Sequence, residues 1–159
     1  LIIVGIDPGL ASIGYSFLEI SSDSLKLKEA GIISTNPKSS IQERLFTLRK
    51  DLFCLLEKYQ PSYAGIELIY FTKNIKTGIS VSHARGVILE TIFSYSKTLK
   101  IYEYTPTKLK QTLLGFGKGS KQELQIAVSR FLNLAKIIKP DDAADATALC
   151  LVVSRELKI

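Results

Sequence analysis

Residues 1–35, LIIVGIDPGLASIGYSFLEISSDSLKLKEAGIIST, decide the fold. The run Leu1 to Ile6 is apolar without interruption, the pattern of a strand covered on both faces and set centrally in a sheet. Asp7 stands at its end, and Pro8-Gly9 turns the chain. Gly14 to Ile20 and Ser24 to Thr35 then read as two further strands of an antiparallel meander. The alternation Leu25-Lys26-Leu27-Lys28 leaves one face of the last strand to water.

Beyond this meander the periodicity changes. Ser40 and Glu43 form a capping box ahead of Ile41, Leu45, Leu48, Leu52, Leu55, Leu56 and Tyr59, which recur at helical spacing until Pro61. Tyr63 to Glu67 (YAGIE) reads as a fourth strand with Glu67 at its carboxyl end. A helix is expected from about Ile79 to Phe93, a short strand from Lys100 to Tyr104, and a helix opened by Thr105-Pro106. Ser120 and Glu123 cap another helix running through Leu134, and Pro140-Asp141 starts a last one reaching about Leu157, with Asp141 read as its cap. Three antiparallel strands followed by alternating helices and strands predict an α/β fold, a mixed five-stranded sheet with helices on both faces, in one domain over 1–159.

The charge is unevenly placed. The net charge is +6, but the stretch from Lys97 to Lys139 alone carries nine Lys and Arg against two acids, Glu103 and Glu123, so the remainder is close to neutral. A solvated face is the bland explanation of such a segment, and a phosphate-binding surface the functional one. No stretch reaches the roughly 18 apolar residues of a membrane span, and the apolar opening lacks a basic leader, so a soluble cytoplasmic protein is expected. Cys54 and Cys150 each lie within an apolar helical pattern and read as two buried, reduced thiols.

Four acids stand where acids are locally awkward: Asp7 and Glu67 at the ends of apolar strands, Asp142 and Asp145 in the Ala-rich DDAADATALCL. Singly, each has an ordinary explanation. Asp7-Pro8-Gly9 is a common turn, Glu67 a strand-end acid, and the aspartate pair suits a helix N-terminus. Together they suggest a site, since the element order lets the central strands and the last helix be neighbours. Asp142 and Asp145 share a helix face by their spacing, and Ala143, Ala144 and Ala146 leave room for approach to the sheet. Clustered carboxylates repel and need a cation; hard oxygen donors point to Mg²⁺ or Mn²⁺ rather than zinc. Two ions about 3.5–4 Å apart would suit in-line phosphodiester hydrolysis, with Asp7 as the bridging ligand.

Tyr70 and Phe71 follow Glu67 closely, and two consecutive aromatics cannot both face inward, so one could stack on an unpaired base. Gly115 to Lys121 combines flexible backbone with Lys118 and Lys121, suited to tracking a phosphate chain or, more plainly, a glycine loop. His83, the sole histidine, sits in a helical stretch and is read as structural or surface.

The blocks GIDPGLASIGYS (5–16), IELIYFTKN (66–74), HARGV (83–87), TPTKLKQTLLGFGKGSK (105–121) and DDAADATAL (141–149) resemble, in order and spacing, those of the RuvC Holliday junction resolvases across nearly the whole chain. The resemblance implies an RNase H-like fold, a homodimer, and paired nicks in a four-way DNA junction. It implies catalytic and metal-binding roles for Asp7, Glu67, Asp142 and Asp145, with two Mg²⁺ ions per site and Mn²⁺ as a substitute. It also implies DNA contacts from Tyr70, Lys110 and Lys121, to which the glycine segment's own reading adds Lys118, and partnership with the RuvA–RuvB branch-migration complex. Leu68 departs from the family, in which Gln often follows the catalytic Glu. The helix from Ile79 to Phe93, apolar on more than one side, is the expected dimer surface. Rival readings are a sugar-kinase or actin-like ATPase, which would need a second copy of the sheet, a related nuclease of ribosomal RNA precursors, and a binding module with a dead site.

Overall fold

The computed structural model describes residues 1–22, 24–68 and 75–158, the last segment with side chains from 78 onward. Strands β1 (Ile2–Asp7), β2 (Ser12–Ser21) and β3 (Ser24–Ser34) form the antiparallel meander, while β4 (Tyr63–Glu67) and β5 (Lys100–Tyr104) extend the sheet in parallel on the other side of β1. The order is β3-β2-β1-β4-β5, so β1 lies at the centre, as its apolar run requires. Helices α1 (Ile41–Tyr59) and α2 (Ile75–Tyr95) cover one face; α3 (Pro106–Leu114), α4 (Lys121–Phe131) and α5 (Asp141–Glu156) cover the other.

The two-residue repeat of a strand sorts the side chains between these layers. Val4, Ile6, Phe17, Ala64 and Ile66 pack with Leu48, Leu52, Leu56, Ile88 and Ile92 of α1 and α2. Ile3 and Leu18 pack with Leu124, Val128, Leu149 and Val153 beneath α4 and α5. Gly5 and Gly14 face α5 at close range: a Cβ on Gly5 would lie 1.9 Å from the Ala146 carbonyl oxygen, and one on Gly14 2.0 Å from that of Asp142. Only glycine lets the helix backbone settle so near the sheet. Ala143, Ala144 and Ala146 are buried along the same helix, as the alanine-rich segment suggested.

Several boundaries differ from expectation. α2 begins at Ile75, not Ile79, and β2 at Ser12, not Gly14. α4 stops at Phe131 rather than Leu134, because Asn133 takes a left-handed conformation (φ 50°) and Leu134 folds back to donate its N–H to the Ser129 carbonyl. Asp141 is not the cap of α5: Pro140 occupies that position, and the Asp141 carboxylate instead accepts a 2.6 Å bond from Gln125 Nε2 of α4. The cysteines also separate. Cys150 is fully buried against β1 and β2, whereas Cys54 lies on the exposed side of α1, its position in the helical repeat falling outside the Leu48, Leu52, Leu56 stripe. No helix among the described residues is long and apolar enough to cross a membrane.

Candidate active site

The parallel pairing of β1 with β4 runs in register from Ile3↔Tyr63 to Ile6↔Ile66, so Asp7 and Glu67 emerge side by side at the carboxyl ends of the two strands. That edge is where open α/β sheets present their binding crevice. Strand alternation sends both carboxyls to the face that carries α5, since Gly5 and Gly65, two residues before each, abut the α5 backbone. Asp145, one helical turn into α5, faces the same space. Asp7, Glu67 and Asp145 line a cleft of about 290 Å³ together with Pro106, Leu109 and Lys110 of α3 and Lys121 and Leu124 of α4.

The lysines arrive there through local signals. Thr105 caps α3 directly after β5, and the Ser120–Glu123 capping box starts α4 at Lys121. Lys121 Nζ lies 3.5 Å from Asp145 Oδ2. Lys110 and Lys121 thus stand at the acids themselves. Lys118 is exposed in the loop between α3 and α4. Tyr70 and Phe71 lie outside the described residues, and His83 is exposed on α2.

Asp142 occupies the edge of this arrangement. Its Oδ2 accepts a 2.6 Å hydrogen bond from Ser12 Oγ at the start of β2. Neither Ser12 nor Gln125 was marked by the sequence, because each partner lies far along the chain and neither residue type is unusual in its place.

The electrostatics are those of crowded carboxyls. Burial raises Asp7 well above the ordinary carboxylate range, and the charges of Glu67, Asp145 and Asp142 and a hydrogen bond to Glu67 raise it further. Glu67 is also raised, chiefly by burial, although its bond to Asp7 and the nearby Lys121 and Lys110 oppose the shift. Burial raises Asp145 against the opposing pull of Lys121. Burial works against the Lys121 charge, but Asp145, Asp7 and Asp141 outweigh it and hold the ammonium protonated above its usual range.

These residues fit a hard divalent cation by donor chemistry. All the acids offer oxygen, none is neutralised by arginine among the described residues, and Lys121, raised by Asp145, Asp7 and Asp141, shows that positive charge is favoured at this spot. As the side chains stand, no three such donors among the described residues form a closed metal cage, so side-chain rotation of Glu67, Asp142 or Asp145 would accompany binding.

Comparison with known proteins adds the family. The sequence model described as "Crossover junction endodeoxyribonuclease RuvC" matches residues 3–153. The protein of that description from Finegoldia magna is 41% identical over 149 residues, covering 94% of this chain and 90% of the relative. That from Halothermothrix orenii is 40% identical over 151 residues, covering 95% and 90%. Among solved structures, Thermus thermophilus RuvC in complex with Holliday junction substrate superposes with a TM-score of 0.92 at 24% identity, covering 99% of this chain and 95% of that one. The Fowlpox virus resolvase bound to Holliday junction DNA gives 0.60 at 20% identity, covering 99% of both. The fold is therefore the RNase H-like fold of these resolvases.

Proposed function

This chain belongs to the RuvC family of crossover junction endodeoxyribonucleases, and we propose that it resolves four-way (Holliday) DNA junctions by metal-dependent hydrolysis of a phosphodiester in each of two opposed strands. The observation that carries the reading is the convergence of Asp7, Glu67 and Asp145, from three separate elements, on one cleft that also holds Lys110 and Lys121. Asp7, Glu67, Asp142 and Asp145 would hold two Mg²⁺ ions, with Mn²⁺ a workable substitute, which when bound supply an activated water and charge stabilisation at the leaving 3′ oxygen.

The chain's own groups do the rest. Asp7, on the central strand, has Glu67 next to it at the end of the neighbouring strand and lies close enough to Asp142 and Asp145 to feel their charge, which would suit it to be shared between two ions. Lys121 holds the Asp145 carboxylate in the absence of other cations and can turn to a phosphate oxygen when they bind, and Lys110 gives the cleft a second positive wall. Lys118, exposed on the adjoining loop, and Tyr70 extend the contact to the DNA beyond the cut. A cytoplasmic setting accords with such a substrate.

A junction offers two equivalent strands, so a twofold dimer matches its symmetry. Ile79 and Phe93 of α2, spaced seven apart from Gly86, share one helix stripe, and Ile79 and Phe93 are 50% and 60% exposed. On the adjoining helix α1, Phe46 is 66% exposed. This apolar stripe is the proposed dimer surface. Partnership with a RuvA–RuvB complex follows from the family alone.

The test is incubation with a synthetic four-way junction and Mg²⁺, beside linear duplex and structured RNA. Paired symmetrical nicks confined to the junction are expected. Cutting of linear duplex at the same rate, or of RNA in preference, would overturn the assignment.

A further inference from the structure

We infer that the groove between the β1–β2 turn and helices α1 and α2 is a second phosphate-binding site for the same DNA strand, with the Arg44 guanidinium as its cation; this deepens the reading of the chain as a junction nuclease and rests on it.

The groove holds about 500 Å³ and is lined by Gly9, Leu10, Ala11, Ser12, Arg44, Ser80 and Val81. None of these is acidic. The turn that forms its wall is bounded by the catalytic centre at both ends: Asp7 precedes it, and Ser12, whose hydroxyl is bonded to Asp142, closes it. The groove therefore begins where the acidic cleft ends. It opens on the α1–α2 side of the sheet, whereas Lys110 and Lys121 come from α3 and α4 on the opposite side. A strand laid across the carboxylates meets the lysines on one flank and has Arg44 on the other.

The arginine is mounted in a way that suits an anion. Its Nε donates to Thr35 Oγ1 at 2.9 Å. Thr35 is itself buried, its hydroxyl donating to the Leu10 carbonyl and its N–H to the Ala11 carbonyl at 3.1 Å. One edge of the guanidinium is thus pinned to the turn. Among the described residues no ion pair or hydrogen bond engages its two terminal amino groups. A planar fork held by one nitrogen and open at the other two is shaped for paired bonds to phosphate oxygens, and a fixed side chain loses little further entropy on binding. A purely structural arginine would need only the Thr35 bond, and a neutral residue can supply that bond without placing a charge in a groove that holds no acid to pair with it.

The experiment is a salt titration of binding to an uncleaved four-way junction in Ca²⁺. It compares the wild type with Arg44→Gln, which removes the charge, and Ala11→Glu, which places a carboxylate on the exposed turn without touching Arg44. Both variants should bind several-fold more weakly, and the slope of log affinity against log salt should flatten in Arg44→Gln by about one unit per subunit. Should Arg44→Gln fail to fold, Ala11→Glu still decides, because the turn position is exposed. Wild-type affinity and slope in the variants that fold would overturn the site and leave the nuclease reading standing. Absence of salt-dependent junction binding by the wild type would overturn both.

Discussion

Ser12 Oγ donates a 2.6 Å hydrogen bond to Asp142 Oδ2, tying the first residue of β2 to the first turn of α5 across 130 positions of sequence. The bond orients one oxygen of a carboxylate that is also close enough to Asp7 and Asp145 to influence their charge. Ser12→Ala should therefore raise the Mg²⁺ concentration needed for half-maximal cleavage several-fold while leaving the rate at saturating Mg²⁺ near that of wild type. Ser12→Thr, which keeps the hydroxyl, should restore the metal dependence. Calorimetric Ca²⁺ binding to the free protein gives the same comparison without turnover, and an unchanged affinity in Ser12→Ala would deny Ser12 this role.

The acids should separate in single amide variants. Asp7→Asn, Glu67→Gln and Asp145→Asn are each expected to abolish cleavage and leave junction binding measurable, since the lysines remain. Asp142→Asn should behave likewise, because Asp141 is held away by Gln125 Nε2 at 2.6 Å and cannot readily replace it. Freeing that neighbour with Gln125→Ala in the Asp142→Asn background should return some activity. Gel-resolved nicking of a labelled junction measures all five proteins, and a single variant with full activity would remove that acid from the site.

Stability of the metal-free protein should fall as pH rises. Asp7, Glu67 and Asp145 all have folded pKa values above their unfolded ones, chiefly through burial. The folded state therefore binds more protons than the unfolded state once pH leaves the ordinary carboxylate range near about 4. The associated stability is complete below that range and lost as pH rises through the raised values. Mg²⁺ should reverse the loss, so the Tm difference between Mg²⁺ and chelator should be larger at pH 8 than at pH 5. An equal difference at both would show that the acids do not share the metal.

At the far edge of the sheet the sign is opposite. Glu29 accepts bonds from Lys58 Nζ at 2.7 Å, from Tyr59 and from Tyr15 at 2.7 Å, and these hold its carboxyl down at about 2. Its contribution is present above the ordinary glutamate range and is lost as pH falls through about 2. Glu29→Gln should lower Tm at neutral pH and narrow its gap to wild type below pH 3. A gap of constant size across that range would mean the carboxylate charge is not what stabilises the cluster.

Dimerisation gives a fifth expectation. Phe93→Glu places a charge in the exposed stripe of α2 and should shift the protein toward monomer in sedimentation, with paired nicking reduced to single nicks. A wild type that is monomeric at micromolar concentration and still cuts symmetrically would remove the dimer.

Local signals made much of this protein legible in its sequence. The apolar run of β1, the capping boxes at Ser40 and Ser120, and the proline after α1 act within a few residues of themselves, and the elements they predict are present. The acids were legible because a carboxylate ending an apolar strand is costly without a purpose. Cys54, Asp141, Ser12 and Arg44 were not. The faces they present and the partners they meet depend on how closely α5 settles on Gly5 and Gly14, on how α4 brings Lys121 and Gln125 to that helix, and on where Thr35 pins the β1–β2 turn. Those contacts join residues as far apart as Gly5 and Ala146, and no short-range pattern of apolar and polar side chains carries information about them. Composition and periodicity determined which layers would form; the packing of one helix against two glycines decided which carboxylates and ammonium groups share one cleft.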